Sequence, residues 1–500
     1  MNQLKVGSIL SYLSMGLNIV VGLFYIPLLL HFLTIEQYGL YQLIGSLVAY
    51  LSIMDFGLTS TITRFYSRRI ALNDEKGKEN VLAIATFIFF ILSLLTVLIG
   101  LVVYAIFPIL YSAKLSPEEL IAARKMLLYL IGNTGITIFS KVFEASITSL
   151  ERFVFLRMLT ILQSILQPIA VVAILTVKSE ALSIVQVQVL FNVIHIICIV
   201  LYAFHSLHIR IKLHEFDKQL IVSILKFSSF LFLQIIFDLI IWRTGVVVLG
   251  AVSGSATVAV FSIAIQLNMY YKQFATAINS VLFPKVSRLS VIYDGMTELS
   301  ALFRKVGRLQ LMILGLILSG FIVFGKVFFK LWVGNQFIPA YSMTLIMMIP
   351  FTFDLIENVG VLILQAKDLH KARAMIFLGI ALLTIFLTLI GTKFWGGIGS
   401  AVAIGISLLL GHGLFINIYY TRIGIDIIRF FRELIPSFLT ILIASIFGIF
   451  MVHSQPIDSW LSLGVGVVMF SVLYALLTYI TVLRKDERAS ILHFLRNLFS

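Results

Sequence analysis

A chain of 500 residues that is 60% hydrophobic and only 12% charged, with a mean hydropathy of +1.06, has more apolar surface than a water-soluble core absorbs. Its formal charge of +14 invites a nucleic-acid reading, but the spread of that charge along the chain argues against one. The single cysteine, Cys198, excludes disulfides, Cys-based zinc sites and iron–sulfur clusters within one chain.

Charge-poor apolar runs long enough to cross about 30 Å of hydrocarbon recur and predict an all-α polytopic membrane protein with about fourteen transmembrane helices. The spans fall near 8–30, 39–62, 82–106, 124–148, 158–177, 183–205, 221–248, 256–283, 307–329, 341–364, 374–392, 397–420, 434–453 and 460–483. The first, from near Ser8 past Leu30, reads as a retained helix and not a signal peptide. Most of the 37 Lys and Arg fall at the two ends and in the even-numbered gaps, as in Arg64-Phe65-Tyr66-Ser67-Arg68-Arg69 and the tail from Arg484. Positive loops resist translocation, so both termini are expected in the cytoplasm. Trp332, Trp395 and Trp460 fall near the outer ends of spans, where an aromatic belt belongs. The stretch Ile491 to Phe499 has the pattern of a short amphipathic helix lying on the membrane.

The outer gaps are short, with no room for the external domain that a membrane glycosyltransferase or polymerase needs. No Gly-rich phosphate loop ending in Gly-Lys-Ser/Thr and no His-Glu-x-x-His motif occurs. An enzyme is therefore not expected, and neither is a bound metal.

The second half echoes the first. Tyr66-Ser67-Arg68 at the end of span 2 corresponds to Val286-Ser287-Arg288 at the end of span 8, and Arg157-Met158-Leu159 to Arg373-Ala374-Met375. A shift of six spans preserves orientation, so two parallel six-helix lobes with pseudo-two-fold symmetry are expected. They are residues 1–205 and 221–420, joined by a cytoplasmic linker at 206–220. Two further helices at 434–483 and a basic amphipathic tail at 484–500 follow.

The stretch Pro27-Leu28-Leu29-Leu30 … Glu36-Gln37-Tyr38-Gly39-Leu40-Tyr41 … Asp55-Phe56-Gly57-Leu58 … Arg64-Phe65-Tyr66-Ser67-Arg68 resembles the start of bacterial polysaccharide-biosynthesis flippases. Phe283-Pro284-Lys285-Val286-Ser287-Arg288-Leu289 resembles the end of their eighth helix. These flippases belong to the multidrug/oligosaccharidyl-lipid/polysaccharide exporter superfamily. The resemblance implies a protein of the bacterial cytoplasmic membrane that moves an undecaprenyl-pyrophosphate-linked oligosaccharide to the outer leaflet by alternating access. Its partners would be membrane lipids, a polysaccharide polymerase and glycosyltransferases, with no nucleic acid. The alternatives are a peptidoglycan lipid-precursor flippase, a multidrug antiporter on the same fold, and a non-transporting membrane scaffold.

Ionisable groups inside spans cost at least about 2.5–3.5 kcal/mol each on insertion scales, so they mark polar interiors. Four are cations: Lys141, Lys226, Arg243 and Lys272. Arg243 and Lys272 are expected to line a central cavity and grip the pyrophosphate, with Lys141 and Arg64 as further substrate-binding cations. The competing reading is internal pairing: Arg243 with Asp238, or Lys141 with Glu144 at i, i+3. Asp354 and Glu357, also at i, i+3, are expected to share a face and bind a proton or Na⁺, the competing reading being a lateral polar contact with Asn358 or a facing helix. Asp55, Glu144 and Asp238 complete the ion-coupling candidates. Lys226 reads as a snorkelling residue, and His195 and His412 as ordinary helix-contact histidines. Pro27, Pro168, Pro284 and Pro350 mark kinks or hinges.

Overall fold

The computed structural model describes residues 3–289, 295–367, 369–454, 457–484 and 487–488, and these are helical nearly throughout, with no strand among them. A chain surrounded by hydrocarbon must satisfy its backbone groups within each segment, and the helix does so. Among the described residues twelve helical segments are long and apolar enough to cross a membrane, and the protein is multi-pass. They account for the fourteen expected spans in two ways. Arg373–Arg422 carries both spans 11 and 12, and the helix over span 8 is not apolar enough to stand among the twelve.

In chain order the helices are α1 (Gln3–Phe32), α2 (Ile35–Leu51), α3 (Leu58–Ala71), α4 (Glu75–Tyr111), α5 (Pro117–Ser149), α6 (Phe153–Leu175), α7 (Ala181–Leu201) and α8 (Lys218–Ser253). Then come α9 (Ser255–Leu289), α10 (Gly295–Trp332), α11 (Pro339–Ile356), α12 (Asn358–Ala366), α13 (His370–Leu408), α14 (Asn417–Arg422), α15 (Ile427–Ser454) and α16 (Trp460–Thr481). Polar caps set the starts. Thr34 accepts from the Gln37 amide at α2, and Ser116 forms a capping box with Glu119 at α5. Pro27, Pro168 and Pro350 lie inside α1, α6 and α11. The expected amphipathic stretch 491–499 lies outside the described residues.

Two expected spans are interrupted, and a third break falls in the expected gap between spans 11 and 12. Span 2 divides into α2, a 3-10 turn (Ser52–Asp55) and α3, with Phe56 and Gly57 both left-handed at φ 50° and 67°. Span 10 divides at Glu357 into α11 and α12. The third break is at Gly396, with φ 53° and ψ −129°, where α13 folds back on itself. Gly391 and Gly399 face each other there so closely that a Cβ on Gly391 would lie 2.8 Å from the Gly399 carbonyl oxygen. Thr392 and Ser400 share a hydroxyl hydrogen bond of 2.8 Å across the same hairpin.

Packing divides the chain into two compact groups: Met1–Ser262 with Thr388–Ser400, and Ile263–Leu387 with Ala401–Ser500. α8 and the start of α9, to Ser262, therefore pack in the first group. In the first group α5 is central and packs on α2, α3, α4 and α7, while α1 lies on α6. α8 joins this group through α2, α3 and α4. The reason is local. Gly250 leaves room for Leu43 and Tyr111, the Tyr111 hydroxyl donates to the Val247 carbonyl at 3.2 Å, and Tyr50 bonds Thr244 at 2.7 Å. The Gly396 hairpin also rests on α8, since a Cβ on Gly396 would lie 3.8 Å from Ser253 Oγ and one on Gly245 3.5 Å from Ser400 Cβ. In the second group α10 packs on α11, α12, α15 and α16. Phe328 stacks on Trp332 and meets Trp460 edge-on in this group.

Candidate functional site

Each group holds a polar centre beside a broken helix. In the first, Lys141 Nζ lies 2.6 Å from Glu144 Oε2, the i, i+3 pair expected on α5. Asp55 closes the 3-10 turn of the interrupted span, where Thr59 Oγ1 donates to its Oδ1 at 3.0 Å. Lys141 and Glu144 act electrostatically on Asp55 and also on His195 of α7, so the four form one cluster. Asn192 extends the polar surface by donating to Asn133 Oδ1 and Thr137 Oγ1, each at 2.8 Å. The Ser228 hydroxyl of α8 donates to the Phe56 carbonyl, which the helix break leaves without its usual partner. Around this carbonyl lies a mainly apolar hollow of about 370 Å³, with Phe56, Leu92, Leu225 and Phe232 in its walls.

The other first-group residues are more dispersed. Arg243 is half-buried on α8 and interacts electrostatically with Tyr50. It makes no ion pair among the described residues, so the pairing with Asp238 does not form. Five residues apart on a helix places the two roughly 140° apart around the axis. Asp238 is exposed. Arg64, also exposed, sets its guanidinium 4.5 Å above the Phe227 ring.

The second centre is more deeply enclosed. Asp354 and Glu357 lie one turn apart where α11 ends, and each also takes its own hydrogen-bond partner. Asp354 Oδ1 lies 2.8 Å from Nδ1 of His412, which is only 4% exposed. Glu357, 2% exposed, accepts from the Asn417 amide at 2.7 Å through Oε1. Its other oxygen has no hydrogen-bond partner among the described residues. His412 stands in a π-helical segment (Leu409–Ile416), and the Asn417 amide also donates to the His412 carbonyl at 2.9 Å. The Phe377 ring meets His412 edge-on, and Arg373 lies 4.7 Å above that ring. Lys272 and Arg373 both act electrostatically on Asp354.

Lys272, Asp354 and Glu357 thus fall in one constellation with three residues not named among the site candidates: Arg373, His412 and Asn417. His412, read as a helix-contact histidine, makes its contacts with Asp354 of α11 and Phe377 of α13. Arg243 and Lys272 belong to different groups, the first and the second. Among the described residues no three His, Cys, Asp or Glu converge as metal ligands.

A family model described as "Polysaccharide biosynthesis protein" matches residues 4–290, more than half of the chain. The chain belongs to the polysaccharide biosynthesis protein family. Solved structures share the fold of this family member at low sequence identity. The Lipid II flippase MurJ, in an inward closed conformation, aligns with a TM-score of 0.73 at 15% identity, over 99% of this chain and 100% of its own. An inward-facing multidrug resistance MATE family transporter of the MOP superfamily gives 0.63 at 14% identity, over 85% of this chain and 98% of its own. A MOP superfamily transporter from Pyrococcus furiosus, described as having a binding pocket of reversed polarity, gives 0.53 at 15% identity, over 81% of this chain and 94% of its own. No curated protein matches the chain significantly. The fold is that of these transporters.

Proposed function

We propose that this protein moves an undecaprenyl-pyrophosphate-linked oligosaccharide from the cytoplasmic to the outer leaflet of a bacterial cell membrane, by alternating access of the lobes 1–205 and 221–420. Membership of the polysaccharide biosynthesis family carries the reading. The transporter fold supports it, as do ionisable residues at helix breaks, because interrupted membrane helices are where transporters hold ions and anionic substrate groups. An exterior of exposed aliphatic side chains, such as Leu98, Leu166 and Ile446, suits a lipid tail that never leaves hydrocarbon. In this reading Arg243, Lys272, Lys141 and Arg64 meet the pyrophosphate. Asp354 with His412, and Glu357, take the coupling proton or Na⁺, while Asp55, Glu144 and Asp238 are secondary sites. Both termini face the cytoplasm, and a polymerase and glycosyltransferases act before and after this step.

A second reading, a flippase for a peptidoglycan lipid precursor, is favoured by the likeness to MurJ along nearly the whole of both chains. Deleting the gene in its native host and measuring polyprenyl-linked lipids by mass spectrometry separates the two. Build-up of a complete repeat unit on pyrophosphate, with loss of surface polymer, is expected. Build-up of the peptidoglycan precursor instead selects the second reading. An unchanged lipid pool with normal surface glycan overturns both.

A further inference from the structure

The second group contains a basic hollow of about 250 Å³ that the transport reading does not use. It lies between the first turns of α10, the start of α15 and the segment after α16. Five cations line it: Arg304, Lys305, Arg308, Arg429 and Arg484. Against them stand two carboxylates, Glu433 and Glu487. We propose that this hollow binds a phosphate group at the cytoplasmic membrane face, on the orientation proposed above.

The arrangement has a floor and a rim. The side chain of Arg308 is 5% exposed and pairs with Glu487, and that of Arg304 is 14% exposed. Bringing these guanidiniums out of water is costly unless anionic groups face them. Arg429 and Arg484 are 62% and 52% exposed and form the rim with Lys305, which makes no ion pair among the described residues. Glu433 sits at the middle of the hollow. It takes Arg304 Nε at 3.4 Å, Arg429 Nε at 3.3 Å and a terminal nitrogen of Arg484 at 2.6 Å.

A guanidinium carries five N–H donors, and a carboxylate shared by three of them engages only a minority. Glu433 therefore orients the forks without satisfying them, and an excess of three positive charges remains over the hollow. Phosphate oxygens accept such forks in pairs, and a compact dianion or phosphodiester matches this excess better than a further carboxylate does. Two sources supply that chemistry at the cytoplasmic face: the headgroup of an anionic phospholipid, and free phosphate.

The test uses the full chain in non-ionic detergent, with thermal unfolding and native mass spectrometry as readouts. The probes are phosphatidylglycerol, phosphatidylcholine and inorganic phosphate. Phosphatidylglycerol is expected to raise the unfolding midpoint and to remain bound where phosphatidylcholine does not. An equal effect of inorganic phosphate assigns the site to free phosphate, and no such effect assigns it to the lipid headgroup. Arg429→Gln with Arg484→Gln should weaken binding about tenfold or more, as expected for lost charge-assisted hydrogen bonds. Lys305→Gln breaks no ion pair, so it is the variant to read if the double substitution disturbs folding, and it should also weaken binding. Arg68→Gln, on another exposed basic stretch, should bind as the parent does. Failure of both anionic probes to bind, or equal binding by the parent and the hollow variants, overturns the proposal.

Discussion

His412 and Asp354 show what a single contact fixes. With the imidazole 2.8 Å from the carboxylate in a nearly closed setting, removing either partner strands the other. His412→Ala should therefore cost about 2 kcal/mol or more of stability. A thermal melt of the purified protein checks this, and an unchanged midpoint would show that the pair contributes nothing. Asp354→Asn with Glu357→Gln should abolish dependence of transport on the ion gradient, and full retention of that dependence removes both residues from coupling. Arg243→Ala and Lys272→Ala should each lower transport at normal abundance, whereas normal transport by both sinks their role in holding pyrophosphate. Of these residues, the acids and Lys272 were legible as charges inside apolar runs. His412 was not, because a lone histidine between Gly411 and Gly413 has no spacing signal and its partner lies far away in sequence. Lys141 with Glu144 was legible for the opposite reason, since both ends of the contact lie on one helical face.

Helices were the most legible level, because hydropathy over some twenty residues answers directly to the thickness of hydrocarbon. Their interruptions were not. Hydropathy measures apolarity and is silent on dihedral angles, so the breaks at Phe56-Gly57, Glu357 and Gly396 sit inside runs that read as continuous or as ordinary loops. The lobes were read from the six-span repeat, and hydropathy carries no sign of the side-chain fit at Gly250 and Tyr50 that packs α8 on the first group. Gly396→Ala tests the sharpest of these breaks. Its φ of 53° with ψ of −129° is a conformation that an L side chain adopts only under strain, at a cost of about 1–3 kcal/mol. A lower unfolding midpoint or a loss of folded protein in membranes is expected, and wild-type behaviour would mean that the hairpin tolerates another path.

Scattered single charges decide how the whole molecule sits in the bilayer, and this can be mapped with little interference. Cys198 is the only thiol, so Cys198→Ser provides a clean background for cysteines placed in each loop. Membrane-impermeant reagents should label the short odd-numbered loops from outside and leave positions 64–78 and 484 unlabelled until the membrane is opened. Labelling of the basic loops from outside would invert the orientation. The hairpin at Thr388–Ser400 carries a consequence for biogenesis. It packs with helices completed by Ser253, yet the ribosome makes it much later, on the order of ten seconds afterwards at about 5–20 residues per second. Throughout that interval α8 lacks the contacts that Gly396 and Ser400 later make at Ser253 and Gly245. A chain stalled just before Thr388 should therefore be the one that an insertase or membrane chaperone holds longest.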